Sequence, residues 1–415
     1  MKLSEDLAWR GLIKDKTFES DGWLDKPRTF YWGVDCSSDS LTIGNLAPLI
    51  LARRLAEAGW HAILLVGGAT SLIGDPGGKD AERPLLPRET IQKNVKAIQK
   101  QVAHLFAGQK FTPADNYDWF KDVGYLEFLR EVGKHFSVTE LIQRDFIAER
   151  IGETGSGISY AEFSYSLIQG YDFWQLYKMH KAELQIGGSD QWGNMLSGVA
   201  LIRKKEAKEA HALSMPLVVN KATGKKFGKS EGGAIWLDPT KTSVTEFYQF
   251  WINSDDQDAE DYLKIFTLLP RQKIESIVKA HNASPEKRLA QIELAQQVTD
   301  MVHGRPARQF AEEVTKYLVG ELPVTDAKAV AVDEVRRALP SVKVQPGSPV
   351  IEVLVKTGLA SSNSEARRLA QSQAVYVNNQ PFGKDHLEAA DFKNGRLMLR
   401  RGKAYKDSAL VELAQ

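Results

Sequence analysis

Two apolar runs joined by a helix, with a glycine-rich loop after the second, constrain the fold of this chain more than any other feature. Thr29–Asp35 (TFYWGVD) has strand composition and ends in a Ser/Asp-rich corner. Leu41–Ala58 (LTIGNLAPLILARRLAEA) reads as a helix, with Pro48 in its early part, where a missing N–H matters least. His61–Gly67 (HAILLVG) is continuously apolar, as a strand buried on both faces of a parallel sheet must be. It opens into GGATSLIGDPGGK, a loop with five glycines. This order predicts a right-handed βαβ unit whose ligand site lies at the carboxyl ends of the strands. The fold class is α/β, with a Rossmann-like parallel sheet.

A second stretch, Tyr160–Asn194, points to that ligand. Tyr165, Gln169 and Asp172 stand at i, i+4 and i+7 and share one face of a helix. A core-facing helix would place Leu or Val there; these three all form hydrogen bonds. The apolar run Leu184–Ile186 follows and breaks into Gly187-Gly188-Ser189-Asp190-Gln191, where paired glycines let backbone approach a ligand. The polar face and the glycine corner predict two walls of a pocket for a small polar molecule. A satisfied polar network inside an ordinary helix is the alternative reading of the same spacing.

Composition bounds the possibilities. A chain of 415 residues suggests two to three domains. The net charge of +1 gives no global field for polyanions, so any nucleic-acid surface must be local. Cys36 is the single cysteine, which excludes an internal disulfide framework and favours a cytoplasmic setting. It reads as a packing residue rather than a nucleophile. No apolar run approaches the ~18 residues of a membrane span, and the first residues lack a signal-peptide core.

Along the rest of the chain, residues 1–28 read as a charged helical lead-in. Arg88–Phe106, Tyr125–Val132, Ser137–Ile151 and Gln191–Lys208 are helical patterns; Asn116–Phe120 reads as a loop and Met215–Val219 as a short strand. The Gln191–Lys208 helix ends in Arg203, Lys204, Lys205 and Lys208, which suit either solvent or RNA. Residues 1–221 are thus expected to form the Rossmann-like domain and 222–322 a lysine loop plus an all-helical domain, with Trp251, Phe266 and Leu269 in its core. A Pro-rich linker is expected at 323–348, then a small α+β unit at 349–415. In that unit helices near Pro349–Gly358 and Ser364–Gln373 precede Val375–Val377, an Asn378-Asn379 turn and strands near Leu397–Arg401 and Ala409–Leu413.

Two segments carry phosphate chemistry. Lys225-Lys226-Phe227-Gly228-Lys229-Ser230 sets lysines on a glycine-flexible, mobile loop able to close over a ligand; a plain basic surface loop is the alternative. The corner Asp35–Asn45 runs from the first strand into a helix start, where free N–H groups suit an anion. Gly44 inside that helix costs about 1 kcal/mol relative to Ala. It suggests close approach of a flat ligand such as adenine, or close packing on the neighbouring strand.

Taken together, EFSYSLIQGYD (Glu162–Asp172), LQIGGSDQWGN (Leu184–Asn194), LVGGATSLIGDP (Leu65–Pro76), KFGKSEGGAIWLDP (Lys226–Pro239) and FYQFWIN (Phe247–Asn253) resemble the bacterial tyrosyl-tRNA synthetases of class I. The resemblance runs from about Lys26 to the C-terminus, and residues 349–415 resemble an S4-like RNA-binding domain. It implies a tyrosine–tRNA ligase that forms tyrosyl-adenylate from L-tyrosine and ATP, then charges tRNA(Tyr). It implies a tyrosine pocket of Tyr31, Asp75, Tyr165, Gln169, Asp172 and Gln191. Asp75, Tyr165 and Gln169 would hold the ammonium, and Tyr31 and Asp172 the phenolic hydroxyl. Gly33, Asp35, Ser37, Gly44, Gly188 and Asp190 would receive ATP. Lys226, Lys229 and Ser230 would clamp its pyrophosphate portion, with Lys79 and Arg83 closing from the other side. Mg²⁺ would arrive with ATP, and the family is a homodimer.

The chain departs from the family pattern in its first signature, where Thr42 and Asn45 replace two histidines, and in the second, where Phe-Gly replaces Met-Ser. Cys36 replaces a proline and Trp32 a smaller residue. Thr and Asn still donate hydrogen bonds to phosphate, and Thr-Ile-Gly-Asn resembles the version in some tryptophanyl synthetases. Two other functions therefore stand beside the first: a tryptophan–tRNA ligase, and a catalytically impaired paralogue acting as an RNA-binding protein. RNA contact is expected at Arg367, Arg368, Arg396, Arg400, Arg401, Lys403 and Lys406.

Overall fold

The computed structural model describes the whole chain except residues 76–84, 153–154, 222–226, 228, 231–232, 403–406 and 415, and at 145–146 and 229–230 only the backbone. It divides into two compact units, Met1–Thr242 with Trp251–Val302, and Ser243–Phe250 with His303–Gln415.

The first unit is built on a six-stranded sheet: β1 (Asp15–Lys16), β2 (Thr29–Asp35), β3 (His61–Gly67), β4 (Phe111–Asp115), β5 (Ala182–Gly188) and β6 (His211–Met215), in the spatial order β1-β6-β5-β2-β3-β4. All neighbours are parallel except β1, which pairs antiparallel with β6. The chain leaves β2 towards β3 and β4, then returns to lay β5 on its other side. The carboxyl ends of β2 and β5 therefore flank the point where strand order reverses, the usual ligand crevice of such sheets. β3 is buried along Ala62–Gly67, as its unbroken apolar run requires.

The helix Ile43–Glu57 leads from β2 to β3, with Leu46, Leu49, Ile50 and Leu55 buried. Pro48 is its sixth residue, further in than the first turn, so the i→i−4 bond to the Gly44 carbonyl is missing. The helix Tyr160–His180 begins at Ser159, whose side chain accepts from the Glu162 N–H in a capping box. It lies close to the helix Trp192–Glu206, because Gly170 faces Ser197 and Gly198 faces Phe173: a Cβ on Gly198 would sit 2.6 Å from the Phe173 side chain. Asp6, Arg10 and Arg54 tie the helical segment 251–302 to this unit. Arg10 donates to the carbonyls of Lys264 (2.9 Å) and Leu269 (2.6 Å), and Asp6 accepts from both Arg10 (2.9 Å) and Arg54 (3.2 Å).

Several local expectations differ. Only Leu3–Trp9 of the lead-in is α-helix; Asp15–Lys16 adds an edge strand. Ser137–Ile151 is two short helices, Val138–Ile142 and Asp145–Ile151. The strand expected at Met215–Val219 lies earlier, at His211–Met215, where it completes the parallel register with β5. Residues 222–322 are shared between the two units.

The second unit carries a five-stranded sheet in the order Gln380–Pro381, Val375–Val377, Arg396–Arg401, Ser408–Leu413, Ser341–Val344. Asn378 and Asn379 turn with φ of 48° and 67°, the left-handed region that asparagine tolerates. The segment expected as a linker, 323–348, holds the helix Ala329–Ala338 and the strand Ser341–Val344, which pairs parallel with Ser408–Leu413. Pro340 is the punctuation between them, and short apolar patterns hid an edge strand that only a partner from the far C-terminus completes. Val314, Tyr317, Val332 and Val335 pack with Met398 and Leu410. Among the RNA-contact candidates, Arg367 and Arg368 are exposed. Arg396 is partly buried, and Arg400 is buried against the Tyr376 ring. Arg401 pairs with Glu365 and Asp407, and Lys403 and Lys406 lie outside the described residues.

Candidate active site

A cavity of about 640 Å³ opens at the reversal point of the sheet. Its walls come from the ends of β2 and β5, the start of the helix Ile43–Glu57, and the polar face of the helix Tyr160–His180. Tyr31, Gly33, Asp35, Ser37, Thr42, Gly44, Asn45, Asp75, Tyr165, Gln169, Asp172, Gly188, Asp190 and Gln191 all line it. Lys79, Arg83 and Lys226 lie outside the described residues, as do the side chains of Lys229 and Ser230.

One end is closed and polar. The Asp172 side chain is 1% exposed, and its two oxygens accept from Asn116 Nδ2 (3.0 Å) and Trp119 Nε1 (2.9 Å). Burial pushes its carboxyl up to about 8; the two N–H donors pull it down, and the nearby Asp35 and Asp115 charges push it up. The Tyr31 hydroxyl, on a ring 1% exposed, has no hydrogen-bond partner among the described residues, and burial followed by the Asp172 charge drives its pKa far upward. Such an orphaned hydroxyl beside a buried carboxyl is a costly arrangement in an empty pocket and a useful one around a polar ligand.

Next to it the structure joins two groups that the sequence reading had placed on different ligands. Tyr165 donates its hydroxyl to Asp35 Oδ2 at 2.8 Å, and Thr70 donates to Asp35 Oδ1 at 2.6 Å. Gly67 makes room for this: a Cβ there would come within 2.7 Å of Asp35 Oδ1 and collide with Thr70 Oγ1. Gln191 donates to Asp75 at 2.6 Å and accepts from Asn194 at 3.2 Å. Burial and the neighbouring carboxylates, Asp35 first, raise the Tyr165 pKa well above its ordinary value, so it acts as a donor.

The other end is open and lined by small groups. Asn45 Oδ1 accepts from both the N–H and the hydroxyl of Thr42, each at 3.0 Å, which fixes the amide with its NH₂ group turned the opposite way. A Cβ on Gly44 would meet only Thr42 Oγ1, in ordinary contact at 3.5 Å, so packing on a neighbouring strand does not explain this glycine. Trp32 is 3% exposed and lines the cavity. Cys36 is buried on Ser71, with its thiol pushed up to about 11 by burial, and is a packing residue.

Asn116, Trp119 and Thr70 escaped the sequence reading. NYDWF carries no helical period because its helix, Tyr117–Phe120, is a single turn. The one visible signal was an indole and an amide crowded into a short polar segment.

The described lining residues include the carboxylates Asp35, Asp75, Asp172 and Asp190 and no Lys, Arg or His. An ammonium fits this field; a polyphosphate needs cations brought from elsewhere.

Comparison with known proteins matches this geometry to one family. Residues 24–320 match the family model described as tRNA synthetases class I (W and Y), and residues 331–406 match a tyrosine–tRNA ligase SYY-like C-terminal domain. The tyrosine–tRNA ligase 1 of Bacillus licheniformis is 44% identical over 96% of this chain and 97% of its own. The chain belongs to the tyrosyl-tRNA synthetases. The tyrosine–tRNA ligase of Neisseria meningitidis is 44% identical over 92% of this chain and 90% of its own. Among solved structures, a C-terminally truncated mitochondrial tyrosyl-tRNA synthetase of Aspergillus nidulans superposes with a TM-score of 0.69 at 29% identity, covering 76% of this chain and 94% of its own. The second family match begins at residue 331, so the helix and strand found in the expected linker belong to the matched C-terminal domain of this synthetase. Among the described residues, no helix is long and apolar enough to cross a membrane.

Proposed function

We propose that this chain is a tyrosine–tRNA ligase that activates L-tyrosine with ATP and transfers it to the 3′-terminal ribose of tRNA(Tyr). One observation carries the choice of tyrosine: a buried carboxyl, Asp172, and the unpartnered Tyr31 hydroxyl at the closed end of the cavity. A phenolic hydroxyl donates to Asp172 and accepts from Tyr31. Phenylalanine leaves the Tyr31 hydroxyl unpaired and gives nothing to the remaining acceptor capacity of Asp172, so the desolvation cost goes uncompensated. An indole N–H has no oxygen with which to satisfy Tyr31. Asp75, Gln169 and the Tyr165–Asp35 pair supply counter-charge and hydrogen bonds for the ammonium, and Gln191 holds Asp75 in place.

The first step needs no general base. The tyrosine carboxylate is ionised at neutral pH; its oxygen bonds to the α-phosphorus of ATP as the bond to the bridging oxygen breaks, and pyrophosphate departs. Gly33, Asp35, Gly44, Gly188 and Asp190 receive the adenosine, while Ser37, Thr42 and Asn45 at the helix start receive phosphate. Lys226, Lys229 and Ser230, with Lys79 and Arg83, bring the positive charge that the acidic cavity lacks, aimed at the leaving group. Mg²⁺ would arrive with ATP, where it would neutralise part of the phosphate charge. In the second step the ribose hydroxyl attacks the tyrosyl carbonyl and AMP leaves.

Residues 1–221 form the catalytic part of this cytoplasmic enzyme, 222–322 carry the lysine loop and helices, and 349–415 grip tRNA through Arg367 and Arg368. A second copy of the chain covers the exposed side chains Tyr125, Leu126, Val138 and Tyr160, 63–79% accessible, as a homodimer. ATP–pyrophosphate exchange with tyrosine, then with tryptophan, tests the reading. Tyrosine-dependent exchange alone is expected. Exchange with tryptophan instead makes it the tryptophan enzyme, and none with either leaves only an RNA-binding paralogue.

A further inference from the structure

The lysine loop is pinned on its C-terminal side to the first signature. Lys229–Ser230 pair antiparallel with Gly233–Ala234, the Ile43 N–H donates to the Ile235 carbonyl (3.0 Å), and the Leu237 N–H donates to the Leu41 carbonyl (2.8 Å). Thr42 and Trp236 form an isolated antiparallel bridge between these bonds. The backbone just beyond the lysines is thus laced to the start of the helix Ile43–Glu57.

On the other side stands a single aromatic residue. The Phe227 ring lies 4.7 Å from Tyr262, 5.0 Å from Phe266 and 5.5 Å from Trp251, centroid to centroid. Those three rings form a preassembled socket: Trp251 and Phe266 are wholly buried and tilt edge to face at 4.9 Å, and Tyr262 closes the third side. The Phe227 N–H also donates to the Val218 carbonyl at 3.1 Å. Phe227 and Phe266 both reach the cavity wall.

We propose that Phe227 is the positioning residue of the lysine loop: its ring, seated in the Trp251/Tyr262/Phe266 socket, fixes where Lys226 and Lys229 begin. This rests on the reading of that loop as the phosphate clamp. Chain connectivity supplies the lever. The Lys226 Cα is held about 3.8 Å from that of Phe227, and the Lys229 Cα no further than about 7 Å. Through those covalent links the seat of Phe227 limits where the two lysines can start. Preorganised cations stabilise a departing pyrophosphate without reorganisation at the moment of reaction. Releasing the ring spreads their positions and weakens the transition state more than the ground state. Asp172 is held by Asn116 and Trp119, and Tyr31 packs on Phe173, none of them part of this socket, so tyrosine binding should be untouched.

Two variants of the full chain test this. Phe227→Ala is expected to lower the rate of tyrosine-dependent pyrophosphate exchange about 10-fold, in keeping with losing a half-buried phenylalanine side chain. Its tyrosine Kd should stay within about twofold, and Phe227→Met should recover most of the rate because it refills the socket. Trypsin cleavage after Lys225, Lys226 and Lys229, followed without ligand, should accelerate at least about tenfold in Phe227→Ala, since local opening sets such rates, and return in Phe227→Met. Exchange within about twofold of the parent would overturn the proposal. So would tyrosine affinity falling in step with exchange, which marks an ordinary packing role. Should the parent chain show no exchange at all, the functional reading fails, while the cleavage rates still decide the anchor: equal rates in parent and Phe227→Ala refute it.

Discussion

The two ends of the cavity are built on opposite principles. At the end proposed for tyrosine, Asp172, Tyr31 and Tyr165 are buried and most groups are already committed: Asp172 to Asn116 and Trp119, Tyr165 to Asp35, Gln191 to Asp75, with the Tyr31 hydroxyl left over. At the end proposed for the nucleotide the groups are small, neutral and open: Gly44, Ser37, Thr42 and Asn45, and the described lining brings no cation. The contrast teaches that selectivity resides in preformed hydrogen bonds held in low dielectric, where a missing partner is expensive. In the proposed mechanism, rate resides in charges that engage as the leaving group develops.

Breaking each end separately should give different kinetic signatures. The largest effect is expected from Lys229→Ala, with kcat for exchange down about 10²–10³-fold, the usual cost of one preorganised transition-state donor, and tyrosine affinity unchanged. If tyrosine affinity also fell, the division between the ends would not hold. Asp172→Asn should follow, with kcat/KM for tyrosine about 100-fold lower, because an amide cannot accept from both Asn116 and Trp119 and also from the substrate hydroxyl, leaving a buried donor unpaired, and with KM for ATP unmoved.

Trp119→Phe sharpens the comparison at the same end. It removes a donor that favours the charged carboxylate, so the Asp172 pKa rises further above about 8. Tyrosine binding in the parent should strengthen as pH rises through about 8, and in Trp119→Phe at a higher pH, measured by calorimetry between pH 6.5 and 9.5. Stability moves oppositely. The folded value lies above the unfolded value of about 3.9, so the native state holds the extra proton between them. The stability tied to Asp172 is full below about pH 4 and lost as pH rises through about 8. Urea unfolding of Asp172→Asn should show a flatter decline from pH 5 to 8.5.

The smallest effects belong to the second unit. Arg367→Ala and Arg368→Ala should raise KM for tRNA a few-fold and reduce the salt slope of binding by about one each, leaving exchange alone.

How far the sequence reached follows the same division. The βαβ order was readable because β3 is an unbroken apolar run, and Tyr165, Gln169 and Asp172 because polar residues at helical spacing contradict a core face. Asn116 and Trp119 were not, since they sit on a single-turn helix with no period to detect. Nor could spacing reveal that Tyr165 and Asp35, 130 residues apart, share a hydrogen bond. The strand Ser341–Val344 needed its distant partner Ser408–Leu413 to exist, and local propensity is silent about such pairing.

The central claim is that a buried carboxyl and an orphaned phenol recognise the substrate hydroxyl. Calorimetric titration of the purified chain with tyrosinol and with phenylalaninol tests it most directly. Tyrosinol should bind, and phenylalaninol should bind at least about 100-fold more weakly, the cost of leaving the buried Tyr31 hydroxyl unpaired and losing the bond to Asp172. Equal affinity for the two alcohols would contradict the account.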